Sequence, residues 1–182
     1  MDRAWGRRWL LSLSHIGAWL VALVWFAWAS AIDTQLMLGG ETSYWVPSLG
    51  VALLVAWAVR MEVGTLWALA CLAALAKVSF SVEPPVAILA GNLAVVMLVR
   101  FGRRSFDLSR PLARSLVAGV VAGGWLFWTW LVLYARHGEG AHPSWEVLMQ
   151  AATSTGLLTL FLGGVFAKLP GARVLLARRS LR

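Results

Sequence analysis

The sequence predicts an all-α polytopic membrane protein: a single domain over residues 1–182 with six transmembrane helices and both termini in the cytoplasm. Three observations predict this class. Hydrophobic residues make up 60% of the chain and charged residues 13%, whereas soluble domains average about 45–50% and about 25%. The apolar residues form long runs separated by short polar joints. The Lys and Arg residues fall almost entirely on one side of those runs.

The apolar runs are bounded by clear turn signals. The first run has 24 residues, more than the ~20 that span a bilayer core. It ends in Ala29-Ser30-Ala31, which resembles a signal-peptidase site, but a signal core has only about 7–15 apolar residues. We therefore expect an uncleaved helix. Arg60-Met61-Glu62 makes a minimal turn, and Pro84-Pro85 ends one helix and starts the next. The helices are expected at about 9–32, 44–59, 63–80, 84–99, 115–134 and 147–169, before a short basic tail over 170–182.

Two predicted loops differ sharply in charge. Residues 33–43 carry no Lys or Arg, and Pro47 then falls in the first turn of helix two, where a missing N–H costs little. The loop over 100–114 holds five arginines: Arg100, Arg103, Arg104, Arg110 and Arg114. With the N-terminus inside, every Lys and Arg except Lys77 and Arg136 lies on the cytoplasmic side. We expect these cations to face anionic lipid headgroups rather than nucleic acid.

Some polar side chains fall inside the predicted helices, where ionisable or amide groups are functional candidates. Asn92 lies near the middle of helix four, where an Asn is either interhelical glue or a ligand contact. Lys77 either snorkels to the outer interface or pairs with Glu83. The Thr153–Thr155 run either lines a polar pocket or bonds its own preceding turn. The candidates for ligand contacts or helix packing are His15, Lys77, Asn92, Thr153 and Thr155.

Small residues recur at four-residue spacing on several helices. Such faces let membrane helices approach closely, within the bundle or against a partner protein. The candidate docking faces are Ala18 and Ala22 on helix one, Ala87 and Gly91 on helix four, and Gly119 and Gly123 on helix five.

The sequence offers little chemistry for catalysis. Cys71 is the only cysteine, so no disulfide forms within the chain and no CxxC motif exists. The spacing His137-x-Glu139-x-x-His142 in an outer loop is not a standard metal-ligand motif. No nucleophile, phosphate-binding or zinc-protease motif is present. We therefore expect a protein without enzymatic activity, cofactor or metal.

Two segments carry a resemblance to a known family. Trp45-Val46-Pro47-Ser48-Leu49 leads into helix two, and Arg60-Met61-Glu62-Val63-Gly64 forms a tight turn before two close-set helices. With a basic loop, a long fifth helix and a basic tail, this layout resembles MreD, the membrane component of the bacterial rod-shape system. The resemblance implies a non-enzymatic scaffold in the bacterial inner membrane. Such a scaffold would bind partner membrane proteins of the peptidoglycan-synthesis (cell elongation) complex.

Two other families share features with the chain. The run from Trp45 to Leu54 also resembles the entry segment of MASE1-type membrane sensor domains. The six-helix size is similar to that of the S-components of energy-coupling-factor transporters, which are compact bundles. Both resemblances imply the alternative function, a membrane domain that binds a small molecule in a polar cavity near the outer face, involving Asn92 or the Thr153–Thr155 run.

Overall fold

The computed structural model describes residues 3–38, 47–138 and 144–176, and within these ranges the chain is helical with no strand. The helices are α1 (Arg3–Leu38), α2 (Leu49–Ala58), α3 (Val63–Val78), α4 (Pro85–Ser105), α5 (Pro111–His137), α6 (Trp145–Phe166) and α7 (Ala172–Leu176). The predicted all-α class is confirmed. In the described ranges, four helices are long and apolar enough to cross a membrane: α1, α4, α5 and α6.

The short helix α2 forms the centre of the bundle. Every residue from Val51 to Ala58 is buried, and α2 contacts α1, α3, α4, α5 and α6. Its sequence, LGVALLVAWA, has no polar face, and a helix that is apolar all round belongs inside a bundle. Its ten residues extend only about 15 Å at 1.5 Å per residue.

Helices α5 and α6 form the most extensive helix pair. A Cβ atom added at Gly119 would lie 2.8 Å from the backbone oxygen of Ala152, so the two backbones nearly touch there. The Ser115 hydroxyl donates to the Gly156 carbonyl at 2.7 Å. Small residues permit this approach, and the resulting wall runs along one side of α2.

The predicted loop over residues 33–43 is wrong in its first half, because α1 continues to Leu38. The Thr34 hydroxyl donates to the Ser30 carbonyl at 2.9 Å, so this polar residue fits within the helix. The predicted start of helix two is also wrong at Pro47, since Ser48 is the N-cap and α2 begins at Leu49. Residues 39–46 lie outside the described ranges.

The predicted basic loop over 100–114 is much shorter than expected. Helix α4 continues to Ser105 and α5 begins at Pro111, where proline's fixed φ suits a first turn. Arg100, Arg103 and Arg104 therefore lie on α4 and Arg114 on α5. In the joint, the Ser109 hydroxyl and N–H donate to Asp107 at 2.6 and 3.1 Å. These hydrogen bonds hold the pKa of the Asp107 carboxyl below its usual value.

The start of the predicted basic tail is a short helix packed on α1. Gly171 joins α6 to α7 with a φ of 84°, which favours glycine. A Cβ atom at Gly171 would lie 3.0 Å from the Ala18 carbonyl oxygen. Ala172 and Leu175 of α7 are buried, so this part of the chain covers the α1 surface around Ala18. Residues 177–182 lie outside the described ranges.

Candidate functional site

The carboxylate of Asp33, near the end of α1, binds the N-terminus of α2. It accepts hydrogen bonds from the Leu49 N–H at 2.7 Å, the Gly50 N–H at 3.0 Å and the Ser48 hydroxyl at 3.1 Å. The Ser48 oxygen accepts in turn from the Val51 N–H at 3.3 Å. Free N–H groups and the positive end of the helix dipole make a helix N-terminus a natural partner for an anion. Asp33, a residue of α1, therefore caps the N-terminus of α2.

Helix α6 reaches the same point through Thr155. The Ser48 N–H donates to the Thr155 hydroxyl oxygen at 2.9 Å, and Thr155 is fully buried. Helices α1, α2 and α6 thus meet around the first turn of α2.

A second polar group is formed by Lys77 at the end of α3, Glu83 in the α3–α4 turn and Trp125 on α5. The Lys77 ammonium lies 3.7 Å from a carboxylate oxygen of Glu83 and 4.1 Å from the ring centroid of Trp125. The ion pair is long, and the second oxygen of Glu83, Oε2, is buried without a hydrogen-bond partner among the described residues. The Lys77 charge is held by one weak ion pair and one aromatic face.

A cavity of about 430 Å³ lies between these two groups. Besides Glu83 Oε2, two more polar atoms of its lining residues are buried and have no hydrogen-bond partner in the described part of the chain, Asn92 Nδ2 and Thr129 Oγ1. Its polar lining consists of Ser30, Asp33, Thr34, Ser48, Lys77, Ser81, Glu83, Asn92, Thr129 and Thr155, and its larger apolar residues include Phe26, Val51, Phe80, Trp125 and Leu126. The cavity thus combines hydrogen-bonding groups of both signs with aromatic surface.

The structure brings together three of the five polar candidates. Asn92, Lys77 and Thr155 all line the cavity. Thr153 is exposed, and its hydroxyl donates to the Met149 carbonyl at 2.7 Å on its own helix. His15 is half-buried on α1 and does not line the cavity.

The candidate docking faces lie against neighbouring helices of the same chain. A Cβ atom at Gly91 would lie 2.5 Å from the Trp125 ring, and the Trp128 indole donates to the Ala87 carbonyl at 3.0 Å. Gly119 and Gly123 face α6. Ala22 is fully buried in the core, and the surface around Ala18 meets α7.

The arginines of the predicted basic loop have distinct surroundings. The Arg103 guanidinium donates to the carbonyls of Met61 at 2.7 Å and Ala58 at 3.3 Å, at the C-terminal end of α2. Arg114 is buried, with 5% of its surface exposed. Arg104 and Arg110 are exposed and Arg100 is half-buried.

Sequence reasoning missed Asp33 and Thr129 as site residues. A lone acid at the end of an apolar run reads as a loop residue, and nothing local indicates that it caps another helix. One signal was available at the other partner: Ser48 directly before an apolar run is typical of an N-cap. Thr129 sits among aromatic residues of α5, so its position facing the cavity depends on how α5 is rotated in the bundle.

Within the described residues, no group of three or more His, Cys, Asp or Glu side chains could hold a metal ion. Part of the His137–His142 segment lies outside the described ranges. A separate groove between α1 and α3, about 330 Å³ in volume, is lined by Ile16, Trp19, Leu20, Leu23, Cys71, Leu72 and Leu75. Because the cavity, unlike this groove, is lined by residues with unsatisfied polar atoms, it is the stronger candidate for a ligand-binding site.

Comparison with known proteins adds no family assignment. The chain matches no protein-family model, and neither a curated protein nor a solved structure is significantly similar to it.

Proposed function

We propose that this chain is a non-enzymatic, six-span protein of the bacterial inner membrane that binds a small molecule in the cavity between Asp33 and Lys77. In this proposal both termini face the cytoplasm, as the distribution of basic residues favours. The short helices α2 and α3 count among the six spans. The burial of α2 from Val51 to Ala58 supports this, because the surrounding helices shield it from lipid.

The observation that carries the proposal is the set of unsatisfied polar atoms around the cavity. Asn92 offers a donor, Glu83 an acceptor and Thr129 a hydroxyl, and none of these atoms has a partner among the described residues. An unsatisfied buried polar group costs about 1–3 kcal/mol. Three such groups, from the α3–α4 turn, α4 and α5, lie around one cavity, where a hydrogen-bonding ligand would satisfy them.

The lining also indicates the class of ligand. A volume of about 430 Å³ falls within the range of about 300–1,000 Å³ typical of small-molecule sites. Asp33 is already bound by the α2 N-terminus. The remaining charges, the positive one of Lys77 and the negative one of Glu83, largely cancel each other. We therefore propose an uncharged or zwitterionic molecule, with an apolar or aromatic body that stacks near Trp125.

The proposal is tested on the full chain purified in detergent or nanodiscs. Small molecules released on denaturation are identified by mass spectrometry, and the affinity of each is measured by titration. Asn92→Leu should weaken binding about tenfold or more, since ~1.4 kcal/mol is a factor of ten. The unliganded protein should be no less stable, because the lost amide nitrogen has no partner to lose.

Two threonines provide a matched control. Thr129→Val changes a hydroxyl near the cavity, whereas Thr153→Val makes the same change at an exposed site that does not line it. Only the first should weaken binding. Failure to recover any ligand, or equal losses in both variants, would argue against the cavity as a binding site. If Asn92→Leu lost stability but not binding, the role of Asn92 would be helix–helix packing rather than ligand binding.

The scaffold role in cell elongation that the resemblance to MreD implies stays a prediction. No contact among the described residues bears on it, whereas the unsatisfied polar atoms around the cavity support the small-molecule hypothesis. Recovery of elongation-complex proteins in a pull-down with the full chain would support the scaffold role. Normal cell shape after depletion, with no such partners recovered, would exclude it.

A further inference from the structure

A buried arginine at the end of the bundle opposite the cavity has no use in the proposed function. Arg114 lies in the first turn of α5 with only 5% of its surface exposed. It packs on the last turns of α6 at Gly163, where an added Cβ atom would lie 3.0 Å from Nε and 3.3 Å from Cζ of the guanidinium. The absence of a side chain at Gly163 therefore makes room for the guanidinium.

The guanidinium of Arg114 has no counter-ion in the described part of the chain. Its Nε is buried without a hydrogen-bond partner, and no hydrogen bond or ion pair joins Arg114 to another described residue. The positive charge of Arg60 also acts on it. The acids on the neighbouring turns are Glu62 and Asp107, both exposed, and Asp107 pairs with Arg110 at 3.5 Å.

Neighbouring groups explain only part of this arrangement. The C-terminal end of α6 carries a partial negative charge that favours a nearby cation, but it leaves the donors of Arg114 unpaired. Arg103 resembles Arg114 in position, yet its guanidinium donates to two carbonyls at the end of α2. A buried guanidinium offers five N–H donors in a planar fork and is costly to leave uncompensated. Phosphate oxygens match that fork in charge and geometry.

We propose that Arg114 forms a binding site for a phosphate group, supplied by an anionic phospholipid headgroup or by free phosphate. The site lies at the opposite end of α2 from the cavity and does not depend on what the cavity binds. In the proposed orientation it lies at the cytoplasmic leaflet, where anionic lipids concentrate. The phosphate supplies the negative charge and the acceptors that the described residues around Arg114 lack.

The test measures thermal stabilisation and binding by the full chain with three probes: phosphatidylglycerol, phosphatidylcholine and inorganic phosphate. Phosphatidylglycerol should bind more tightly than phosphatidylcholine, whose headgroup carries no net charge. Binding of inorganic phosphate as well would identify the phosphate itself as the ligand, whereas binding of phosphatidylglycerol alone would identify the lipid. Either result supports the site if Arg114→Gln weakens binding about tenfold. The matched variant Arg104→Gln removes an exposed arginine of α4 and should change binding less than about twofold.

A glycine pair keeps the test decisive if Arg114→Gln does not fold. Gly163→Ala places a methyl group against the guanidinium, whereas at Gly164 an added Cβ atom meets nothing within 4 Å. Gly163→Ala should reduce the preference for phosphatidylglycerol over phosphatidylcholine, and Gly164→Ala should leave it unchanged. The proposal is overturned if no probe binds the wild-type chain, or if both members of either pair lose binding equally.

Discussion

The two ends of α2 meet opposite charges, each of the sign that the helix dipole favours. At the N-terminus the Asp33 carboxylate accepts from the Leu49 and Gly50 N–H groups. At the C-terminal end the Arg103 guanidinium donates to the Ala58 and Met61 carbonyls. Both charged groups come from other helices. The central helix is therefore held by its neighbours, which compensates for a length well short of the ~30 Å bilayer core.

The two ends differ in what remains after these contacts are made. Around the N-terminus, acids and a lysine lie together. The atoms without a hydrogen-bond partner among the described residues belong to neutral side chains or, for Glu83, to a carboxylate that pairs with Lys77. Around the C-terminal end arginines predominate, and Arg114 has no acidic partner among the described residues. The first arrangement suits a hydrogen-bonding molecule without net charge, and the second suits an anion. Three substitutions test this comparison.

The largest effect is expected from Asp33→Ala, which removes the acceptor at the N-terminus of α2. Loss of a cap costs about 0.5–2 kcal/mol, and leaving buried donors unsatisfied costs about 1–3 kcal/mol. We expect the free energy of unfolding to fall by about 2–4 kcal/mol in total. Asp33→Asn keeps one acceptor oxygen and should lose about half as much. Chemical denaturation of the full chain in micelles measures both.

Asp107→Ala is the control for this prediction. Asp107 also accepts from a neighbouring N–H and a serine hydroxyl, but it is exposed and both bonds come from Ser109. Its substitution should have a much smaller effect on unfolding. Equal losses at the two positions would show that the acid on α1 does not hold α2 in place.

The next effect is expected at the α5–α6 wall, which extends from Arg114 and Gly163 to the cavity residues Thr129 and Thr155. Gly119→Ala places a methyl group 2.8 Å from the Ala152 carbonyl oxygen. Because that obstacle is backbone, the helices must separate, at a cost of about 1–3 kcal/mol. Gly124→Ala, where the added atom meets nothing within 4 Å, should be neutral or slightly stabilising. A similar cost at both positions would place the close contact elsewhere.

The sequence predicted the helices from hydropathy but misplaced several of their ends. Polar residues such as Asp33 and Arg103 were assigned to loops because they interrupt apolar runs. In the structure both residues lie within helices, and their side chains form hydrogen bonds at the two ends of α2. Hydropathy measures the environment averaged along one segment. It carries no information about which partner from another segment satisfies a charge.

The candidate site shows the same limit. Asn92, Lys77 and Thr155 were identified individually as polar groups at membrane depth, and the pairing of Lys77 with Glu83 was one of two alternatives. The structure shows that pair. That the three residues line one cavity depends on the rotation of α3, α4 and α6 about their axes. Since α3 and α6 are only weakly amphipathic, the pattern of apolar residues does not fix the rotations of these two helices.

The smallest effect is expected at the opposite end of α2. Arg103→Met keeps much of the packing volume and removes the donors to Ala58 and Met61, which should cost about 1–2 kcal/mol. Arg104→Met makes the same change one residue later at an exposed position and should leave the free energy of unfolding nearly unchanged.

The comparison of the two ends also predicts how these variants change ligand affinity at the cavity. Arg103→Met should leave ligand affinity at the cavity intact, because it acts on the far end of α2, whereas Asp33→Ala should reduce both stability and affinity. If Arg103→Met reduced affinity as much as Asp33→Ala, α2 would couple its two ends, and the cavity and the proposed phosphate site at Arg114 would be parts of one site.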